Sequence, residues 1–202
     1  MNKSAVNVKI VPFTITGNSL KVFISEKKLP GGILLRGELL DEAAKRIFRN
    51  RFVFPVGDNY IEQLYTISYS QNSINHIDIV YYILLPFHKL KHFAKNNWFN
   101  IEKINTALID KEIITYALQR LRWKVEYTNV VYSLLPEEFT LSQLQQCYEA
   151  ILGRTLDKRN FRKKILSLGL LKLSEKKRVG LKARPAQIYE FKERKPKRVR
   201  VF

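Results

Sequence analysis

The texture of this 202-residue chain changes at Tyr132, and that change limits its folds more than any other feature. Before it, β-rich runs alternate with helical periodicity. After it come two short capped helices and then two β runs around a basic turn. In the first part, residues 7–16 and 19–25 are strand-like and are separated by Gly17-Asn18, a hairpin signal. Residues 27–37 hold Pro30, Gly31, Gly32 and Gly37 and predict a loop. Leu40, Ala43, Ala44 and Ile47 share a face, which predicts a helix from Glu38 to about residue 52. Residues 60–69 and 76–85, rich in Ile, Val and Tyr, predict two more strands around a polar turn at 70–75. Residues 98–108 fit neither period. An apolar stripe of Ile114, Leu118, Leu121 and Val125 predicts a helix over 110–126. The expected class is α+β.

Beyond Pro136, Thr140 is placed to cap a helix over 141–152 that Gly153 ends. Asp157 caps a second, which stops at Gly169. Strands are expected at 170–174 and 187–192 around the basic turn 175–184. Residues 193–202 are expected to be a mobile basic tail, and the cations Lys192, Arg194, Lys195, Lys197, Arg198 and Arg200 are read as a phosphate-contacting arm, the alternative being a merely solubilising end. Helix, helix, hairpin is the order of a winged helix–turn–helix. In the second helix Phe161, Ile165 and Leu168 form an apolar back. Arg159 and Lys163 lie opposite, Asn160 and Arg162 lie at the sides, and Lys158 and Lys164 flank it. A helix of this kind suits the major groove, where Arg pairs with guanine, Asn with adenine, and Lys holds phosphate. Lys176, Lys177, Arg178, Lys182 and Arg184 would form a basic wing.

The charge follows the same division. The chain carries a formal net charge of +18. Residues 1–130 have 18 basic and 11 acidic side chains, whereas residues 154–202 have 18 basic and only four acidic ones. An excess so placed points to a polyanion, nucleic acid first. A hydrophobic content of 46% excludes a disordered basic tail as the whole chain. No apolar run approaches the roughly 18 residues needed to span a bilayer, and no signal-peptide pattern opens the sequence. Cys147 is the only cysteine, which excludes an intrachain disulfide and fits a reducing cytosol. Cys147 is expected to be a buried structural thiol, and Trp98 and Trp123 core or interface residues. His88 and His92 have no cysteine pair or carboxylate cluster nearby, so no metal site is expected there. No cofactor is expected.

Leu29-Pro30-Gly31-Gly32, followed by Glu38 and Arg46, resembles the Nudix box, G-x5-E-x7-R-E-U-x-E-E-x-G-U. Gly32, Glu38 and Arg46 fall on the pattern. The three helix glutamates of the box map onto Ile47, Asn50 and Arg51, and its last glycine onto Val53. Three carboxylates at i, i+3 and i+4 share a helix face and can ring a divalent metal. An alkyl group, an amide and a guanidinium cannot. Hydrolysis of a diphosphate needs that metal, so the reading is a Nudix-like domain without catalytic residues. The alternative is a hydrolase of ADP-ribose or a related nucleoside diphosphate with relocated metal ligands. Only residues 26–28 separate the preceding strand from Leu29, where the family has a longer loop that walls its pocket.

Residues 132–141, 143–154, 156–164 and 184–189 resemble the DNA-binding part of Nudix-related bacterial transcriptional regulators, which include repressors of NAD biosynthesis and sugar-utilisation regulators. The helix from 110 to 127 is similar to their linker helix. The resemblance implies a Nudix-like α/β/α sandwich with a mixed sheet over residues 1–130, linker helix included. A winged helix domain would follow over 131–193, and a basic tail over 194–202. It further implies a cytoplasmic homodimer working at the bacterial nucleoid and probing near-palindromic double-stranded DNA. Its effector would be a nucleotide-sugar such as ADP-ribose, or a sugar, met at Gly31, Gly32, Glu38 and Arg46.

Overall fold

A computed structural model describes residues 4–52, 57, 59–90, 95–104, 108–175 and 186–202. Strands β1 (Ser4–Thr16), β2 (Ser19–Phe23), β3 (Gly31–Ile33), β4 (Tyr60–Gln71), β5 (Ile74–Leu84) and β6 (Trp98–Asn100) make one sheet in the order β4-β5-β1-β2-β6. β3 pairs with the front half of β1. β1 and β5 run parallel and the other pairs antiparallel, so the sheet is mixed. The β1–β2 hairpin turns at Gly17, whose φ of 59° lies in the left-handed region that glycine enters without steric cost.

Alternation along the central strands divides the core. Val8, Ile10, Ile79, Tyr81 and Ile83 face helix α1 (Leu40–Arg51), which buries Ala43, Ala44, Ile47 and Phe48 against them. Val11, Phe13, Val80, Tyr82 and Leu84 face the other way, toward helix α2 (Leu108–Tyr127) and its Ile113, Ile114, Ala117, Leu121 and Val125. The result is the expected α/β/α sandwich. The second of these cores continues without a break through Val130–Leu134, a 3-10 turn, into the C-terminal part.

There, α3 (Leu141–Leu152) starts at a capping box in which Thr140 and Gln143 satisfy each other's backbone N–H groups. It ends at Gly153 in the left-handed conformation. Helix α4 (Lys158–Ser167) is capped by Asp157, whose carboxylate accepts from Asn160 N–H at 2.8 Å. Strands β7 (Leu171–Leu173) and β8 (Tyr189–Phe191) pair antiparallel, and Phe139 joins them by two backbone hydrogen bonds to Tyr189.

Three expectations need correction. The loop at 27–37 contains β3, three residues too short for periodicity to reveal. The undefined stretch from 98 begins with β6, which closes the sheet edge on β2. The C-terminal tail is not mobile. Val199 and Val201 N–H donate to the carbonyls of Tyr127 and Glu126 at 2.9 and 2.8 Å, and Val201 is buried. Asn129 and Lys197 exchange a further pair of bonds, at 3.2 and 2.7 Å. Arg194 donates to the carbonyls of Tyr132, Leu135 and Pro136. The tail is a strap across the end of α2. Among the described residues, no helix is long and apolar enough to cross a membrane.

Candidate functional site

The surface of α4 is the first candidate. Phe161 and Ile165 are buried against α3, with Tyr148 meeting Phe161 edge-on, and Leu168 is partly buried behind them. The opposite side is left to solvent. Lys158, Arg159, Asn160, Arg162, Lys163 and Lys164 are all exposed, and among the described residues none of the five cations is in an ion pair. The turn before the helix is rigidly built. Glu149 of α3 accepts from Leu156 N–H at 2.9 Å, and Gln145 donates to Glu149 and to the Leu156 carbonyl. Arg122 of α2 donates to the Ile151 carbonyl at 3.0 Å, so the long helix caps the end of α3. A side chain at Gly153 would meet that guanidinium at 3.1 Å. One residue on this front escaped the sequence reading. Leu166, 47% exposed, stands among the cations rather than behind them. The wing residues Lys176, Lys177, Arg178, Lys182 and Arg184 lie outside the described residues.

The second candidate is the Gly31–Arg46 region, and all four residues expected there come together. Arg46 grips the Glu38 carboxylate through two N–H groups, Nε to Oε1 at 2.6 Å and Nη2 to Oε2 at 2.7 Å, and Nη2 also reaches the Ile33 carbonyl at 3.0 Å. Glu38 accepts the Leu35 N–H as well. The guanidinium holds this carboxyl down to about 2. Gly32 lies over Ile47, and a side chain at Gly31 would press on the Val8 carbonyl at 3.1 Å, so β3 is seated tightly on β1. The residues therefore form a brace for the loop, with the charges of Glu38 and Arg46 spent on each other.

The Nudix fold family implies a divalent metal at this place, and the residues do not fit one. Ile47 is buried in the α1 core, and Asn50 and Arg51 point to solvent. The one carboxylate on pattern is already paired. Among the described residues, no group of three His, Cys, Asp or Glu side chains could hold a metal ion.

A buried charge cluster lies behind the loop and had no signal in the sequence, because its members are far apart along the chain. Lys9 of β1 pairs with Asp78 of β5 at 3.0 Å and with Asp110 of α2 at 2.9 Å. Asp110 also accepts the Leu29 N–H at 2.9 Å, and Asn7 donates to Asp78 at 3.0 Å. The loop is thereby fastened to the start of α2. At the other end of α2, Lys124 donates to Glu62 at 2.6 Å, and Tyr60 and Tyr82 donate to the same carboxylate. Cys147 is buried and its thiol is pushed up to about 12 by desolvation, which leaves it unreactive. Trp98 packs on Phe23 and Phe52 in the core, whereas Trp123 is 45% exposed. His88 sits in a 3-10 turn after β5, and His92 lies outside the described residues.

Residues 131–191 match the family model of the NrtR DNA-binding winged helix domain. This stretch is a winged helix domain similar to that of NrtR. It holds α3, α4 and the β7–β8 hairpin. Over 141 residues the chain is 30% identical to the ADPR responsive transcriptional repressor NtrR of Acinetobacter baylyi. That alignment takes in 65% of this chain and 56% of the relative, so the chain spans little more than half of the curated protein it matches. The crystal structure of Shewanella oneidensis NrtR complexed with a 27mer DNA is similar with a TM-score of 0.78 and 25% identity, covering 93% of each chain. The Nudix domain of S. oneidensis NrtR, solved with ADP ribose, is similar in fold to the front part, with a TM-score of 0.50 and 19% identity over 60% of this chain and 90% of that one. The architecture is a Nudix-like domain followed by a winged helix domain, and the likeness to the NrtR structure extends over 93% of the chain.

Proposed function

We propose that this protein is a sequence-specific DNA-binding transcriptional repressor whose Nudix-like part senses ADP-ribose or a closely related nucleotide-sugar and does not hydrolyse it. The division of labour would fall at residue 131. Residues 1–130 would meet the effector, and 131–193 would read the near-palindromic operator at the nucleoid. The observation that carries this reading is the unpaired cationic front of α4 within a winged helix of NrtR type. Arg159, Arg162 and Asn160 have the donor geometry for guanine and adenine edges, while Lys158, Lys163 and Lys164 suit phosphate. Leu166 suits a thymine methyl. Lys176, Lys177, Arg178, Lys182 and Arg184 would add a wing on the backbone or minor groove.

The effector assignment is supported by the likeness to an ADP-ribose-responsive repressor. Gly31, Gly32, Glu38 and Arg46 would shape the floor and rim of the site, since Glu38 and Arg46 are spent on each other. Inactivity is supported by the same pair, together with Ile47, Asn50 and Arg51 where a metal would need carboxylates. Control by the effector, whether it releases or recruits the protein, requires that ADP-ribose prefer one of two dimer geometries.

Binding to operator fragments tests the reading. Affinity is expected to fall steeply as salt rises, because phosphate contacts release counterions. Arg159→Glu with Lys163→Glu is expected to abolish specific binding. Wild-type affinity in that double variant would reject α4 as the reading helix. Metal-dependent cleavage of ADP-ribose, lost in Glu38→Gln, would reject inactivity.

A further inference from the structure

The strap lies beyond residues 131–191, the stretch that matches the winged helix model. Its main chain is tied down. Lys197 N–H donates to the Asn129 side chain at 2.7 Å, and Val199 and Val201 N–H donate to the last carbonyls of α2 at 2.9 and 2.8 Å. The side chains sort themselves around these bonds. Val201 is buried and Val199 partly buried, whereas Lys195, Lys197, Arg198 and Arg200 are exposed. Among the described residues none of these four cations is in an ion pair. Arg194 differs from them, since its guanidinium is turned inward on the carbonyls of Tyr132, Leu135 and Pro136. The far end of the strap reaches the winged helix. Phe202 meets Tyr148 of α3 edge-on at 5.6 Å, and Tyr148 meets Phe161 of α4 edge-on at 5.5 Å.

We propose that the strap is a second DNA-contacting surface, on which Lys195, Lys197, Arg198 and Arg200 hold backbone phosphates beside the base pairs that α4 reads. Four like charges on a fixed backbone repel one another. A bound polyanion reverses that cost, because each neutralised phosphate releases its counterions. The negative end of the α2 dipole attracts cations too, but the strap meets that end with backbone N–H groups and leaves its charged side chains in solvent. Duplex DNA is the occupant that the neighbourhood selects, since the strap ends against the residues that seat α4. Its backbone is ordered before DNA arrives, so binding does not incur the entropy of ordering a mobile arm. Phosphate contacts carry no sequence information. The strap therefore strengthens binding to every duplex, and α4 chooses among them. The proposal rests on the DNA reading of α4 given above.

Salt titration of duplex binding by the full chain tests this, with both an operator fragment and a random duplex. Arg198→Gln with Arg200→Gln removes two exposed charges and no backbone bond, so the melting temperature is expected to stay where it is. The slope of log affinity against log salt is expected to become shallower by about 2, one for each lost phosphate contact, on both duplexes. The preference for operator over random duplex is expected to be unchanged. Lys45→Gln with Arg49→Gln, which removes two exposed charges from α1 on the opposite side of the sheet, is expected to leave the slope alone. An unchanged slope in the strap variant would overturn the proposal. So would an equal flattening by the α1 variant, which would make the effect one of overall charge, or a loss confined to the operator. Arg159→Glu with Lys163→Glu is expected to lose the preference that the strap variant keeps, and the random duplex reports on the strap even if α4 reads no sequence. Failure of this surface and failure of the DNA reading are thereby told apart.

Discussion

Glu38 and Arg46 stand on the spacing of the Nudix box, yet here they bind each other, while Arg46 also donates to the loop carbonyl of Ile33 and Glu38 accepts the Leu35 N–H. Because the folded carboxyl is held below its ordinary value, the contact contributes stability that is complete above about pH 4.5 and is lost only as the pH falls toward 2. Removing the cation in Arg46→Ala is expected to return the Glu38 titration, followed by NMR, toward 4.5. An unchanged midpoint would show that the guanidinium is not the cause. Lys9 gives a sharper test of packing. It is the one cation touching Asp78 and Asp110 among the described residues, and both carboxylates are buried. Lys9→Met is expected to cost about 3–5 kcal/mol, since it strands two buried charges. A loss below 1 kcal/mol in denaturant unfolding would contradict the ion-pair account. Glu38 and Arg46 were legible in the sequence because a family spacing carried them, but their pairing with each other was not. The Lys9 cluster was not, because it needs β1, β5 and α2 brought together first.

At the scale of elements, legibility followed length and capping. Helix α3 begins and ends where Thr140 and Gly153 place it, and α4 begins where Asp157 does, because these signals act within three or four residues. Strands β3 and β6 have three residues each and owe their form to pairing with β1 and β2, which no local pattern announces. The tail misled for a related reason. Its position at the chain end and its cations read as mobile, and their side chains are indeed mostly exposed, but its backbone bonds to the end of α2 and its Val201 enters the core. Truncation after Glu193 is therefore expected to lower the melting temperature. Loss of Val201 burial alone removes about 1.5 kcal/mol, and the carbonyls of Tyr132, Leu135 and Pro136 lose Arg194. A tail that merely trails in solvent would leave the melting temperature unchanged.

In the whole molecule, α2 joins everything that matters to control. Its start holds the Leu29 N–H through Asp110, its middle caps α3 through Arg122, and its end is strapped by the tail. One apolar core runs from the sheet through α2 into the winged helix. The loop is thus joined to α4 by continuous packing, and coupling measurements test the proposed effector response along it. The expectation is that ADP-ribose changes operator affinity about 5–150-fold, the usual range of such coupling. Asp110→Asn, which weakens the hold on the loop, is expected to reduce that factor while leaving operator binding in the absence of effector. The measurement that bears most directly on the account is genomic footprinting of the protein, followed by titration of the recovered fragments with and without ADP-ribose. The account predicts discrete near-palindromic sites, affinity that shifts with ADP-ribose, and no binding preference in the Arg159→Glu and Lys163→Glu variant. Equal affinity for those fragments and random duplex would contradict it.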